Sequence, residues 1–555
     1  MLSADPIYRP KHIVWSVKGM NGAVVTAEQH ATEAGLQVLR EGGNALDAAI
    51  TVGFTLSVTL PRAANIGGGG FLLYHDAGSG QTFALDYREM APAKAFRDMF
   101  LDDEGKADAN LSRKSPLAVG VPGTVAGLLE AHRRFGTLPL ERLMAPAIAL
   151  AREGFVISPH FQDLLEKAAG DNRLDETARM VFHGSDGEPR KAGEILIQED
   201  LAQTLASIAE KGKDGFYTGS TAQAIVETLA DKGGLITMED MASYQPVWRE
   251  PVTGTYKGHA IHSMPPPSSG GVHLVQMLQL LENFPLESWG HNSAQAVHVI
   301  AEVMKRAYAD RSKYLGDPDF ADVPMEQLLS EAHEARVLKQ INSISPTPSD
   351  LIRPGLPEGP AESTETTHFS IVDKDGNAVA NTTTLNFSFG SGIMAWGTGV
   401  LLNNEMDDFS AKAGVPNAYG LIGGEFNAVE PGKRPLSSMT PTIVLKDGHV
   451  RLVTGSPGGS RIINTALQII LNVLAFDLTI AEATSVPRFH HQWLPDSLII
   501  ERTFPSEAIR ILKSMGYTIE SNYTIGAAQS IYRNEAGEFS AAADSRRPGS
   551  TALAY

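Results

Sequence analysis

The sequence predicts an α+β protein, with helices in its first part and strands gathered later. Three observations lead there. The chain has 555 residues, 43% of them hydrophobic, which exceeds one ordinary core and calls for two folding units or one large layered sheet structure. Its first part carries capped apolar runs at helical spacing. After a proline-rich stretch at 343–365 the pattern changes to strands alternating with Gly- and Pro-rich loops.

Taken in order, "AEQHATEAGLQVLREGGN" reads as a helix stopped by Gly42 and Gly43. "NALDAAITVGFTLSVTLP" starts on an Asn44 cap and ends at Pro61. "NIGGGGFLLYHD" lacks dinucleotide-fingerprint spacing and reads as a tight turn before a strand. "SAQAVHVIAEVMKRAYADRSKYLG" predicts a long amphipathic helix with its Glu, Lys and Arg on a polar face. Prolines 346, 348, 354, 357 and 360 then mark a linker, because proline removes backbone donors and disfavours helix. "THFSIVD" and "NAVANTTTLN" flank "DKDGN", a hairpin signal in which Gly376 supplies the positive φ of the turn. With Asp375–Gly376 as the turn, Thr366 lies opposite Leu385 and one step from Thr384; a one-residue shift sets Thr384 directly across. "ALQIILNVLAF" is too short to span a bilayer and reads as a buried helix.

Composition narrows the function. Net charge is −18 and the pI about 5.4, so phosphate backbones are repelled and nucleic acid is a poor partner. Cysteine is absent, which excludes disulfides, thiolate metal sites and a cysteine nucleophile. The first twenty residues hold no signal-peptide core and read as a mature N-terminus. "RFHHQW" puts His490 and His491 on opposite faces of a strand, which argues against a shared metal. "TGSPGGSR", with glycines ahead of a helix, is either an anion-binding nest or a capping loop. "NNEMDDF" is either a cation or ammonium site or a solvated acidic turn.

Thr366 follows Glu365 at the lip of the hairpin. A threonine hydroxyl needs a base beside it to act as a nucleophile. His368 points the same way on the strand, but its ring does not easily reach back over Thr366. The other base available is an α-amino group on Thr366 itself, with an ordinary pKa of about 7.7–8.0. That base exists only after the Glu365–Thr366 bond is cut. Attack of the hydroxyl on the preceding carbonyl, followed by hydrolysis of the ester, makes the cut. A plain hairpin with surface threonines is the alternative that the local pattern alone leaves open.

"TTHFSIVDKDGNAVANTTTLN", "LLNNEMDDFSAK", "RPLSSMTPTIV", "VTGSPGGSRI" and "PRFHHQW" resemble the bacterial γ-glutamyltranspeptidases. So do "REGGNALDAA", "NIGGGGFL", "DYREMAPAKA", "VPGTVAG", "MPPPSSGG" and "YADRSKYLGDPDF" upstream, over nearly the whole chain. The resemblance implies an α+β N-terminal-nucleophile hydrolase fold: a four-layer αββα sandwich of two mostly antiparallel sheets between helical layers. It implies self-cleavage into a large subunit, 1–365, and a small subunit, 366–555, wrapped into one catalytic unit. It implies Thr366 as nucleophile, Thr384 beside it, and Gly458 and Gly459 as oxyanion hole. Arg88, Ser437 and Ser438 would take the substrate α-carboxylate; Asn386, Glu405 and Asp408 would take the α-ammonium. Tyr419, in a lid at 413–426, would cover the pocket, and Trp396 would stand near it. Position 405 is Glu where bacterial relatives can carry Gln.

The implied reaction moves a γ-glutamyl group from glutathione or related amides to water, an amino acid or a dipeptide, without cofactor or metal. The implied location is periplasmic or secreted, with no membrane partner. A glutaryl-cephalosporin acylase of the same family, a periplasmic binding protein and an uncut inert scaffold are the competing readings.

Overall fold

The computed structural model describes residues 15–353, 366–411, 425–522 and 524–555. Two seven-stranded antiparallel sheets lie face to face. The first runs Thr551–Ala554, Gly22–Thr26, Thr367–Asp373, Ala378–Thr384, Gly69–Asp76, Gln81–Tyr87, Val247–Arg249. The second runs Ser16–Gly19, Phe539–Ala543, Gln529–Arg533, His449–Thr454, Thr442–Lys446, His259–Ser263, Val252–Tyr256. Strands from before and after residue 365 interleave in both sheets, so the two segments share both sheets.

Period-two alternation sorts the side chains. Ala23, Val25, Phe71, Leu73 and Ala380 point between the sheets and meet Ile443, Leu445, Val453 and Ile531 of the other sheet. Val24, Leu72, Leu85, Phe369 and Ile371 point outward under helices that include Gln29–Arg40, Ala45–Thr59 and Thr124–Phe135. Helices Gly270–Glu282, Ala294–Tyr314 and Arg461–Leu474 cover the second sheet. The result is the expected αββα sandwich.

The predicted helices form close to their signals. Asn44 caps Ala45–Thr59 and shares a capping box with Asp47. Gly42 takes φ +94° just beyond Gln29–Arg40. Three expectations need correction. The charged face of Ala294–Tyr314 is not solvated: Glu302, Lys305, Arg306, Asp310 and Arg311 are all buried. Glu302 pairs with Lys305 at 3.0 Å and Arg306 at 2.9 Å, while Asp310 meets Gln276 at 2.6 Å and His333 at 2.9 Å. Those pairs, with backbone partners, offset the desolvation that would otherwise exclude the charges.

The second correction concerns the proline-rich stretch, which is fastened at its start. Lys305 Nζ donates to Thr347 O at 2.8 Å, Ser349 N donates to Asp496 at 2.9 Å, and Trp493 Nε1 donates to Ser349 O at 2.8 Å. Residues 354–365 lie outside the described residues. The third concerns the hairpin, which turns through three residues rather than two. Asp373 N donates to Asn377 O at 3.0 Å, Gly376 takes φ +92°, and the Asp373 carboxylate accepts the Asp375 and Asn377 N–H groups. The register therefore pairs Thr367 with Thr383.

Candidate active site

Thr366 sits immediately before the central strand Thr367–Asp373 and is 6% exposed. Continuing the pairing of Thr367 with Thr383 by one residue sets Thr366 across from Thr384. The four-glycine run makes this possible. A Cβ at Gly68 would stand 2.0 Å from Thr384 O, and one at Gly70 2.3 Å from Thr382 O. The run is thus more than a turn, because it lets a neighbouring strand press against the one bearing Thr384.

A single pocket gathers residues from distant parts of the chain: Arg88, Thr366, Thr384, Asn386, Glu405, Asp408, Ser437, Ser438 and Gly459, with Met439 and Ile462. Its charged end is built on a 3₁₀ turn, Glu405–Asp408. Side chains three apart eclipse on such a turn, so Glu405 and Asp408 share a face while Asp407 points elsewhere. Asp407 accepts from Ser112 Oγ, away from the pocket lining. Arg88 Nη1 donates to Glu405 Oε1 and Arg88 Nη2 to Asp408 Oδ2, while Nε reaches Pro435 O at 3.2 Å. The acidic turn is therefore a buried ion-pair site rather than a solvated one.

This charge cluster is crowded. Glu89 stands 3.7 Å from Arg88 Nη1, and neither of its carboxylate oxygens has a hydrogen-bond partner among the described residues. Burial pushes Glu89 up to about 7 against the pull of Arg88, and burial pushes Glu405 well above the ordinary carboxylate range. Burial alone would depress the Arg88 guanidinium, but Glu405, Asp408 and Glu89 together hold it up. One guanidinium does not keep three crowded carboxylates ionised, two of them buried, so the cluster titrates as a unit. Glu405 Oε2 accepts no hydrogen bond among the described residues.

Asn386 takes φ +71°, and its Nδ2 donates to Asn404 O at 3.0 Å while its N–H goes to Thr384 Oγ1 at 2.8 Å. Ser437 is held by the "MPPPSSGG" loop: its N–H donates to Pro267 O and its carbonyl accepts from Ser269 N, both at 2.8 Å. Arg311 Nη2 donates to Ser438 Oγ at 3.1 Å, and Arg311 Nε to Ser269 Oγ at 2.8 Å.

At the reacting end, Gly458 (φ +137°) and Gly459 (φ +57°) precede the helix Arg461–Leu474. Among the described residues neither N–H finds an acceptor, the property required of an oxyanion donor. Gly459 lines the pocket and Gly458 stands one residue behind it. His368 is turned away. Its ring nitrogens meet Thr382 Oγ1 at 2.9 Å and Ser370 Oγ at 3.1 Å, and burial pushes it down to about 3.

Tyr419 and residues 412–424 lie outside the described residues. Trp396 is 70% exposed and is not part of the pocket lining. His490 and His491 take separate partners, Asn464 at 2.8 Å and Asp496 at 3.3 Å. Sequence reasoning missed Glu89, Asn404, Arg311 and Asn403, whose Oδ1 accepts from Glu405 N at 3.0 Å, as supports of the site. All four sit inside the stretches quoted for the resemblance, and that was the one signal available for them.

The Gamma-glutamyltranspeptidase family profile matches residues 31–554. The chain is 51% identical over 532 residues to the glutathione hydrolase proenzyme of Escherichia coli (strain K12), covering 96% of this chain and 91% of that protein. The crystal structure of cephalosporin acylase from Bacillus halodurans matches with a TM-score of 0.85 at 27% identity, covering 100% of this chain and 99% of that one. The Helicobacter pylori gamma-glutamyltranspeptidase structure matches with a TM-score of 0.58 at 44% identity, covering 59% of this chain and 93% of that one.

Proposed function

The chain belongs to the γ-glutamyltranspeptidase family and carries its N-terminal-nucleophile hydrolase fold, and from that premise we propose which of its residues perform the chemistry. It is a glutathione hydrolase and γ-glutamyltransferase. Cleavage before Thr366 divides it into a large subunit, 1–365, and a small subunit, 366–555, which stay together because their strands interleave.

Thr366 Oγ1 gives its proton to the Thr366 α-amine and attacks the γ-carbonyl of the substrate. The Gly458 and Gly459 N–H groups hold the oxyanion. The α-ammonium returns the proton to the departing amine, leaving a γ-glutamyl ester on Thr366. Water, or the amine of an amino acid or dipeptide, then takes the acyl group by the reverse proton path. Thr384 steadies the nucleophile from across the hairpin. Family membership supports a periplasmic or secreted enzyme, and among the described residues no helix is long and apolar enough to cross a membrane.

The observation that carries the substrate reading is the shared pocket of Thr366 with Arg88, Glu405 and Asp408. In the free protein Arg88 donates to both carboxylates. An α-amino acid head brings one cation and one anion. Its carboxylate takes Arg88, Ser437 and Ser438, and its ammonium takes Asp408, Asn386 and the open Oε2 of Glu405. The exchange adds no net charge to the pocket. A glutaryl group lacks the ammonium and leaves the carboxylates uncompensated, at a cost of about 1–3 kcal/mol. Measured kcat/KM for a γ-glutamyl anilide should exceed that for the glutaryl anilide by about 10–100-fold. Comparable efficiencies would contradict the assignment.

A further inference from the structure

We propose that Arg547 is a positioning residue for the nucleophile: it clamps the Thr366 carbonyl and keeps the new Thr366 α-amine neutral and ready to accept a proton. The inference rests on Thr366 becoming an N-terminal residue.

Arg547 Nη1 donates to Thr366 O at 2.6 Å, reaching the hairpin from 181 residues away. Arg547 is 9% exposed and Arg62, on the short turn Pro61–Ala64, is 2% exposed. Burial and then the charge of Arg547 hold the Arg62 guanidinium well below its ordinary value. Burial brings Arg547 down to about 10, against the pull of Asp544, which leaves it a cation at neutral pH. The same two arginines, after burial, depress His160.

Covalent geometry keeps the nitrogen and carbonyl oxygen of one residue about 3 Å apart, so the guanidinium stands within roughly 6 Å of the amine. A like charge at that range disfavours the protonated amine.

The other charged groups around Thr366 act differently. Glu405, Asp408 and Glu89 share the one guanidinium of Arg88 at the far end of the pocket, and any negative charge they retain raises the amine pKa. Arg311 is directed to Ser438, and Arg461 opens the helix behind the glycines. His368 is neutral. Asp544 is taken by Arg488 at 2.7 Å and Arg546 at 3.2 Å. The cation that touches the backbone of Thr366 is Arg547. A base that must lose its proton near neutrality, beside an acidic pocket, needs that counterweight.

The test uses the processed enzyme and the variants Arg547→Met, Arg547→Lys and Arg547→Gln, each shown by intact mass to be cut. The readout is the pH profile of kcat/KM with γ-glutamyl-p-nitroanilide. In the parent enzyme the acidic limb should fall below the ordinary amine value of about 7.7–8.0. Arg547→Met should move that limb up by about one unit, lowering kcat/KM about tenfold near pH 6 and less than about threefold near pH 9. Arg547→Lys should restore the limb. Arg547→Gln, which keeps a donor for the Thr366 carbonyl without the charge, should move the limb as Arg547→Met does, which keeps the test open if Arg547→Met does not fold. A uniform loss at every pH, or an unmoved limb in cut enzyme, overturns this inference alone. A parent chain that never cuts overturns the reading of Thr366 and this inference with it.

Discussion

At one end of the pocket Arg88 and Glu405 are buried, Asp408 is partly buried, and the guanidinium donates to both carboxylates. At the other end Thr366 and Thr384 are neutral hydroxyls, and the charge touching Thr366, Arg547, is directed to a backbone carbonyl. In the proposed assignment the charged end exchanges its internal ion pairs for a zwitterion and so selects what enters. In the same assignment the hydroxyl end makes and breaks bonds, with donors left open by glycine geometry rather than filled by side chains. Recognition and chemistry are therefore separable, and substitutions at the two ends should show different kinetic signatures.

The largest expected effect is at Arg88. Arg88→Met strands Glu405 and Asp408 in the interior, which costs about 3–5 kcal/mol of stability. Calorimetry should show the lowered Tm, and kcat/KM for γ-glutamyl substrates should fall at least about 10³-fold. An unchanged Tm would mean the cluster is better solvated than the structure shows.

A smaller effect is expected at Glu405. Glu405→Gln keeps the volume and removes one charge, so KM should rise about tenfold while kcat stays within about threefold. A fall in kcat at constant KM would place Glu405 with the reacting end and blur the comparison. The smallest effect is at Thr384. Thr384→Val removes the hydroxyl with little change of shape and should lower kcat about 5–20-fold, with KM nearly unchanged. A changed KM there would show that Thr384 holds substrate rather than nucleophile.

Much of this pocket was legible before any coordinates. Helix starts at Asn44 and stops at Gly42 follow local rules, and the hairpin register is a matter of counting residues, so the pairing of Thr366 with Thr384 was within one step. Whether the loop held two residues or three depended on the Asp373 carboxylate, which caps the turn from inside the protein. Buried charge was not legible. A one-dimensional pattern does not distinguish Glu302 or Arg306 facing water from the same residues paired in the interior. For the same reason the pattern around Glu405 and Asp408 left a solvated turn and an ammonium site both open until the resemblance was weighed. Arg547 carries no local signal at all, because its role exists only where the C-terminal region folds back onto residue 366.

The central claim is that Thr366 becomes the N-terminal nucleophile. The direct measurement is intact mass under denaturing conditions, with N-terminal sequencing of any fragment. The account predicts two masses, the smaller fragment beginning Thr366-Thr367-His368-Phe369. A single species of 59.4 kDa after prolonged incubation, in a preparation that still turns over γ-glutamyl substrate, would contradict it.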